Sequence, residues 1–160
     1  MSDPASSVSV TRSIAAPPDR VWALISDVTR MGEWSPETTS AEWLKGATGP
    51  VPGAKFRGTN RNGKKEWKGG ATIVEAVPGR VFAFQVKAAG LNVSEWRYTF
   101  EPTATGCSAT ETWIDRRGAL MKMMSPKATG IADRAEHNRA GMEQTLERLA
   151  ATAEATPAST

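Results

Sequence analysis

The chain has 160 residues, of which 39% are apolar and 23% charged, and a formal net charge of +3. A chain of this size and composition can form one ordinary globular domain and bury a core without staples. With one cysteine, Cys107, and one histidine, His137, it has neither a disulfide framework nor a cysteine- or histidine-cluster metal site, and no metal or cofactor is expected. Met1 to Ser7 lack the basic start and apolar run of a signal peptide. No segment approaches the ~18 apolar residues of a membrane span. The expected location is therefore the cytoplasm, without stable membrane insertion. Basic residues are spread along the chain, with one local knot at Arg57, Arg61, Lys64, Lys65 and Lys68. That knot fits the solvated edge of a hairpin, or a surface that touches phosphates or an anionic membrane. Nucleic acid is not an expected partner.

In chain order, Val8 to Ile14 alternates apolar and polar residues and predicts a half-buried strand. Pro17-Pro18-Asp19 opens a helix with an apolar face at Val21, Trp22, Leu24, Ile25 and Val28. A bend and a second short helix follow and stop before Pro36. Strands are then predicted over 40–45, 55–60, 65–77, 80–87, 93–101 and 107–116. Turns at Asn62-Gly63, Pro78-Gly79, Ala89 to Asn92 and Thr103 to Gly106 separate the later strands. Strands joined by short turns pair antiparallel. The six tryptophans, at 22, 34, 43, 67, 96 and 113, come from distant segments. Large aromatics so placed converge on a shared core or cavity.

Residues 127–154 read as one long amphipathic helix of about 40 Å, with Ile131, Ala135, Asn138, Met142, Thr145 or Leu146, Leu149 and Ala153 facing inward. Small and polar residues on that stripe leave room beside the helix, and a ligand can sit there. Close helix–sheet approach explains the same residues without a ligand. The segment before it, Gly118 to Pro126, is rich in methionine. It fits a gate over a cavity mouth or a short helix plugging the open end of the sheet.

Several stretches resemble one family. They are Val21-Trp22-Ala23-Leu24-Ile25-Ser26-Asp27, Trp34-Ser35-Pro36-Glu37, Gly53-Ala54-Lys55-Phe56-Arg57-Gly58 and Val74-Glu75-Ala76-Val77-Pro78-Gly79-Arg80. Trp96-Arg97-Tyr98-Thr99-Phe100-Glu101-Pro102, Thr110-Glu111-Thr112-Trp113 and Met142 to Leu149 continue the series. In number and order they are similar to the START-like (SRPBCC) superfamily, within its polyketide cyclase/dehydrase and lipid-transport family. The resemblance implies an α+β helix-grip fold: a curved seven-stranded antiparallel sheet around a long C-terminal helix, with two short helices after the first strand. A single domain over 8–154 is expected from the chain length and the span of these stretches, with flexible tails at 1–7 and 155–160. The resemblance also implies binding or carriage of a small hydrophobic ligand such as a lipid, polyketide or isoprenoid. A cyclase- or dehydratase-type enzyme and a protein-interaction module with little cavity are the alternatives.

The expected ligand contacts are Trp67, Phe82, Phe84, Trp96, Tyr98, Glu111 and Trp113 on the sheet, Met121 in the connection, and Asn138, Met142 and Thr145 on the helix. Strand alternation puts Glu111 on the same face as Trp113. In an apolar cavity its carboxyl has a raised pKa and can act as acid or base. A salt bridge to Arg97, or the opposite register, gives Glu111 a purely structural role. His137 is the other candidate for moving protons, although it lies about 100° off the inward stripe.

Overall fold

The computed structural model describes residues 6–155. Seven antiparallel strands, β1 (Ser7–Ile14), β2 (Thr38–Leu44), β3 (Lys55–Asn62), β4 (Lys65–Val77), β5 (Val81–Ala88), β6 (Leu91–Thr103) and β7 (Gly106–Asp115), form one sheet. Its order is β1-β7-β6-β5-β4-β3-β2, a meander with the first strand added beside the last. Two turns differ in detail from the sequence reading. The β3–β4 loop is Gly63-Lys64, with Gly63 at φ 61, and Asn62 stays in its strand opposite Lys65. The β5–β6 loop is only Ala89-Gly90, both at positive φ (52 and 77), as a type I′ turn requires. The sixth strand therefore starts at Leu91, ahead of the predicted Val93.

Three register shifts bend the sheet. Thr39 in β2, Val74 in β4 and Val93 in β6 are each an extra residue against the neighbouring strand. Each such bulge increases the local twist. The curled sheet presents a concave face crossed by a row of rings: Trp43–Phe56 at 6.0 Å, Phe56–Phe84 at 5.1 Å, Phe84–Phe82 at 5.6 Å and Phe82–Tyr98 at 6.3 Å.

Four helices cover that face: α1 (Pro18–Ser26), α2 (Met31–Trp34), α3 (Ala119–Thr129) and α4 (Arg134–Ala155). The expected single helix over 127–154 is broken near its start. Gly130, at φ 73, ends α3 with its N–H bonded to the Pro126 carbonyl at 2.8 Å. Asp133 opens α4: its Oδ1 accepts from the Glu136 N–H at 3.1 Å and its carbonyl from the His137 N–H at 3.1 Å. A left-handed glycine and an acidic N-cap are the usual end and start signals. They override the apolar periodicity running across them. The remaining helix has 22 residues, about 33 Å at 1.5 Å per residue.

The C-terminal half of α4 packs solidly. Leu146, Leu149, Ala150 and Ala153 share one core with Val21 and Ile25 of α1 and with Phe82, Phe100, Cys107 and Ala109 of the sheet. Trp22 of α1 anchors its indole N–H on the Val81 carbonyl at 2.8 Å. A smaller cluster of Val8, Trp113 and Met142 sits under the other half, with Ala135 at its edge. The architecture is a curved seven-stranded antiparallel sheet gripping a long C-terminal helix, as expected. Most of the expected tails lies outside the described residues, but Ser7 belongs to β1 and Ala155 to α4.

Gly106 tests this closure. A Cβ there would collide with the Ile14 carbonyl oxygen and stand 2.6 Å from the Ala16 nitrogen, both backbone atoms. Gly106→Ala is expected to destabilise the fold by about 1–3 kcal/mol in chemical denaturation. Gly49→Ala, which meets nothing within 4 Å, is expected to stay within about 0.5 kcal/mol of the parent.

Candidate functional site

A cavity of about 310 Å³ lies between the concave sheet and the N-terminal half of α4. Trp67 and Phe84 line it from β4 and β5, Trp96 and Tyr98 from β6, and Glu111 and Trp113 from β7. Met121 of α3 and Asn138, Met142 and Thr145 of α4 complete the predicted lining. Phe82 is the exception. It is fully buried in the solid core beside Tyr98 and does not reach the cavity. It lies on the same face as Phe84 but two residues nearer the packed end, and a face assignment cannot resolve position along a strand. Four of the six tryptophans, Trp34, Trp67, Trp96 and Trp113, meet in the wall. Gly58 and Gly141 contribute wall without side chain.

The register settles the face of Glu111. It stands opposite Tyr98 in the β6–β7 pair and opposite Val10 in the β1–β7 pair. Arg97, the alternative partner, lies on the convex side and bonds Glu75 at 2.7 Å. Glu95 is also on that side, buried beneath Arg97 at 3.5 Å and Arg116 at 3.6 Å. Glu111 is 1% exposed and accepts the Tyr98 hydroxyl on Oε1 at 2.8 Å, while its Oε2 has no partner. Burial pushes the Glu111 carboxyl up to about 8, against the opposing pull of the Tyr98 bond. Burial, and then the neighbouring carboxylate, push the Tyr98 hydroxyl well above its ordinary value. At neutral pH the carboxyl is therefore protonated. With Oε1 accepting from Tyr98, its own O–H on Oε2 is a free donor.

Two more side chains in the wall hold unsatisfied donors: Trp34 through Nε1 and Asn138 through Nδ2. The Thr145 hydroxyl, by contrast, donates back to the Gly141 carbonyl at 2.9 Å and is occupied. The Trp96 indole is similarly engaged with Ser94 Oγ at 3.1 Å. Buried polar atoms are nearly always paired, so three unpaired ones around one hollow are unusual. With the carboxyl protonated, all three are donors.

At the rim, Glu37 Oε1 receives Arg134 at 2.7 Å and lies 3.3 Å from His137 Nε2. Arg134 also reaches Asn138 Oδ1 at 3.4 Å and lies over the Trp67 ring at 5.9 Å. His137 thus belongs to this partly exposed rim cluster and makes no bond to Glu111. The sequence reading did not single out Trp34, Glu37 or Arg134 as site residues. Trp34 and Glu37 sit in one of the stretches that carried the resemblance, and Arg134 is one helical turn before Asn138. Those two signals were available.

Chemically, the arrangement is an apolar chamber with a neutral carboxylic acid on its floor and further hydrogen-bond donors in its walls. A carboxyl titrating near neutrality can donate a proton to a bound oxygen or retain it as a hydrogen-bond donor. Among the described residues no group of histidine, cysteine or acidic side chains is gathered to hold a metal ion. No helix among them is long and apolar enough to cross a membrane.

Comparison with solved structures finds the same fold. Protein CV1439 from Chromobacterium violaceum has a TM-score of 0.69 at 18% identity, over 94% of this chain and 99% of that one. The Polyketide_cyc-like protein Cgl2372 from Corynebacterium glutamicum has a TM-score of 0.59 at 28% identity, over 94% and 90%. The di-domain ARO/CYC StfQ from the steffimycin biosynthetic pathway has a TM-score of 0.72 at 14% identity, over 94% of this chain and 51% of that one. No curated protein matches the sequence. The family model described as polyketide cyclase / dehydrase and lipid transport matches residues 5–154, nearly the whole chain. The protein belongs to the polyketide cyclase/dehydrase and lipid transport family.

Proposed function

We propose that the protein binds and carries a small, largely apolar molecule bearing at least one hydrogen-bond-accepting oxygen. The observation that carries this reading is the set of unpaired atoms Trp34 Nε1, Glu111 Oε2 and Asn138 Nδ2 around an otherwise apolar cavity of about 310 Å³. Apolar burial at roughly 25 cal/mol per Å² supplies the affinity. The donors select for carbonyl or ether oxygens, because a purely hydrocarbon guest leaves them unsatisfied. A chamber of this volume is at the low end for ligand sites, so the guest is compact. The same volume argues against an interaction module with a filled interior. Lipid, polyketide and isoprenoid guests of that size meet these requirements when they carry an accepting oxygen.

A second reading, an aromatase/cyclase- or dehydratase-type enzyme, is favoured by one feature: the carboxyl of Glu111 is held protonated where it can act as a general acid. The di-domain ARO/CYC StfQ, at 14% identity, shares the fold alone with this chain.

Native mass spectrometry of the purified protein is expected to show a bound hydrophobic species. Its absence, together with failure to take up the apolar dye 1-anilinonaphthalene-8-sulfonate, would overturn the carrier reading. Asn138→Leu and Trp34→Phe are each expected to weaken ligand or dye binding by about five- to tenfold, the worth of one hydrogen bond.

Glu111→Gln separates carriage from catalysis. If the protein only carries, binding changes by a few-fold and there is no turnover to lose. If it is an enzyme, turnover of a linear poly-β-ketone is expected to fall by about 10²–10⁴ while binding persists.

The raised carboxyl also makes a stability prediction. The unfolded chain loses the Glu111 proton near 4.5 and the folded chain near 8. Between those values the folded state holds the extra proton, so stability falls as pH rises and levels off above about 8. The total is of the order of a few kcal/mol. Thermal melts of the wild type are expected to show this decline, and melts of Glu111→Gln to show a much flatter profile over the same range.

A further inference from the structure

The outer face of α3 is exposed, and of the side chains on it Leu120 and Met123 take no part in the cavity wall. Leu120 is 53% exposed, Met123 68% and Met124 46%. Together with the exposed Ala128 they follow a spacing of three and four along one side of the helix. Nothing among the described residues covers this stripe. Its surroundings are basic. Along α3 the chain carries Lys122 and Lys127 and no acidic residue, while Arg116 and Arg117 just before it are paired with Glu95 and Asp115. The β3–β4 hairpin lies against the end of the same helix: Asn62 Nδ2 donates to the Thr129 carbonyl at 2.9 Å, and a Cβ at Gly130 would stand 3.6 Å from Lys65 Cγ. That hairpin adds the exposed Lys64, Lys65 and Lys68 against a single acid, Glu66. None of these five lysines comes within 4 Å of an acidic oxygen among the described residues, although Lys122 lies in the field of Asp115 and Lys68 in that of Glu42.

We infer that this face is a peripheral docking surface for an anionic lipid bilayer. An apolar stripe flanked by unpaired lysines is what a helix lying in a membrane interface presents: methionine and leucine enter the acyl boundary and lysines meet the headgroup charge. A second copy of the chain would bring like charge against like charge. A nucleic acid would match the lysines but leave the methionines in water. The inner side of the same helix, through Met121 and Ser125, forms part of the cavity wall, and Met124 and Ala128 stand at the edge between wall and outer stripe. A bilayer held by α3 therefore lies next to the chamber, across a single helix. The inference does not require that the cavity carries a ligand, and the variants below leave the cavity donors intact.

Vesicle co-sedimentation tests it, with phosphatidylcholine vesicles compared against vesicles rich in phosphatidylglycerol. The protein is expected to bind the anionic vesicles at low salt, to leave the neutral ones largely free, and to be released as salt rises. Lys122→Gln with Lys127→Gln is expected to weaken binding by about thirty-fold, and Leu120→Asp with Met123→Asp to abolish it. All four side chains are exposed, so melting temperatures within a few degrees of the parent verify that the variants fold. Absence of binding to anionic vesicles at low salt, or equal binding to both vesicle types, would overturn the inference. So would binding that ignores the four substitutions, or a dimer in sedimentation velocity that Met123→Asp dissolves.

Discussion

A straight helix laid across a curled sheet can be in close contact along only part of its length. Everything distinctive in this molecule depends on that mismatch. Bulges at Thr39, Val74 and Val93 bend the strands, and the C-terminal half of α4 takes the contact with Leu146, Leu149, Ala150 and Ala153. Its N-terminal half then stands off the sheet. There Asn138, Gly141 and Thr145 replace the large aliphatic residues that would close the gap. α2 and α3 roof the space from two sides without filling it.

The gap determines the chemistry of the acid beneath it. A carboxylate without a cation at that depth is costly, and neutralisation is the ordinary escape. Among the described residues no cation pairs with it. The charges on β6, Arg97 and Glu95, point to the convex side and satisfy each other and Glu75. Strand alternation thus sorts one pair of neighbouring strands into a charged outer ladder and a neutral inner one. Tyr98 holds one oxygen of Glu111 and leaves the other to the chamber.

Much of this was legible in the sequence. The period-two pattern and turn residues gave the meander, with β4 at its observed bounds, Lys65–Val77, and the Glu111–Trp113 spacing gave the inward acid. Ten of the expected contacts do line the cavity. The failures have physical causes. Periodicity alone carried the last helix through Gly130 and Asp133, because an apolar stripe continues across a break when the chain on both sides lies on the same surface. Phe82 shares the face of the lining without reaching it, because alternation gives a side chain's face and not its distance from the packed end. The rim cluster of Glu37, Arg134 and His137 joins segments about a hundred residues apart, and such pairings become visible only once the fold has brought them together.

Gly58 and Gly141 border the hollow without filling it. A Cβ at Gly141 would meet only Pro36 Cγ at 3.5 Å, and one at Gly58 only Thr38 Cγ2 at 3.8 Å and the Ser40 oxygen at 4.0 Å. These are ordinary contacts that the backbone would accept. Inside α4, glycine even costs about 0.5–1 kcal/mol relative to alanine. The chain keeps its smallest residue at a place where a larger one would strengthen the helix. Capacity can therefore be rescaled one methyl at a time, and descendants of this sequence can drift towards smaller guests without re-laying a single strand.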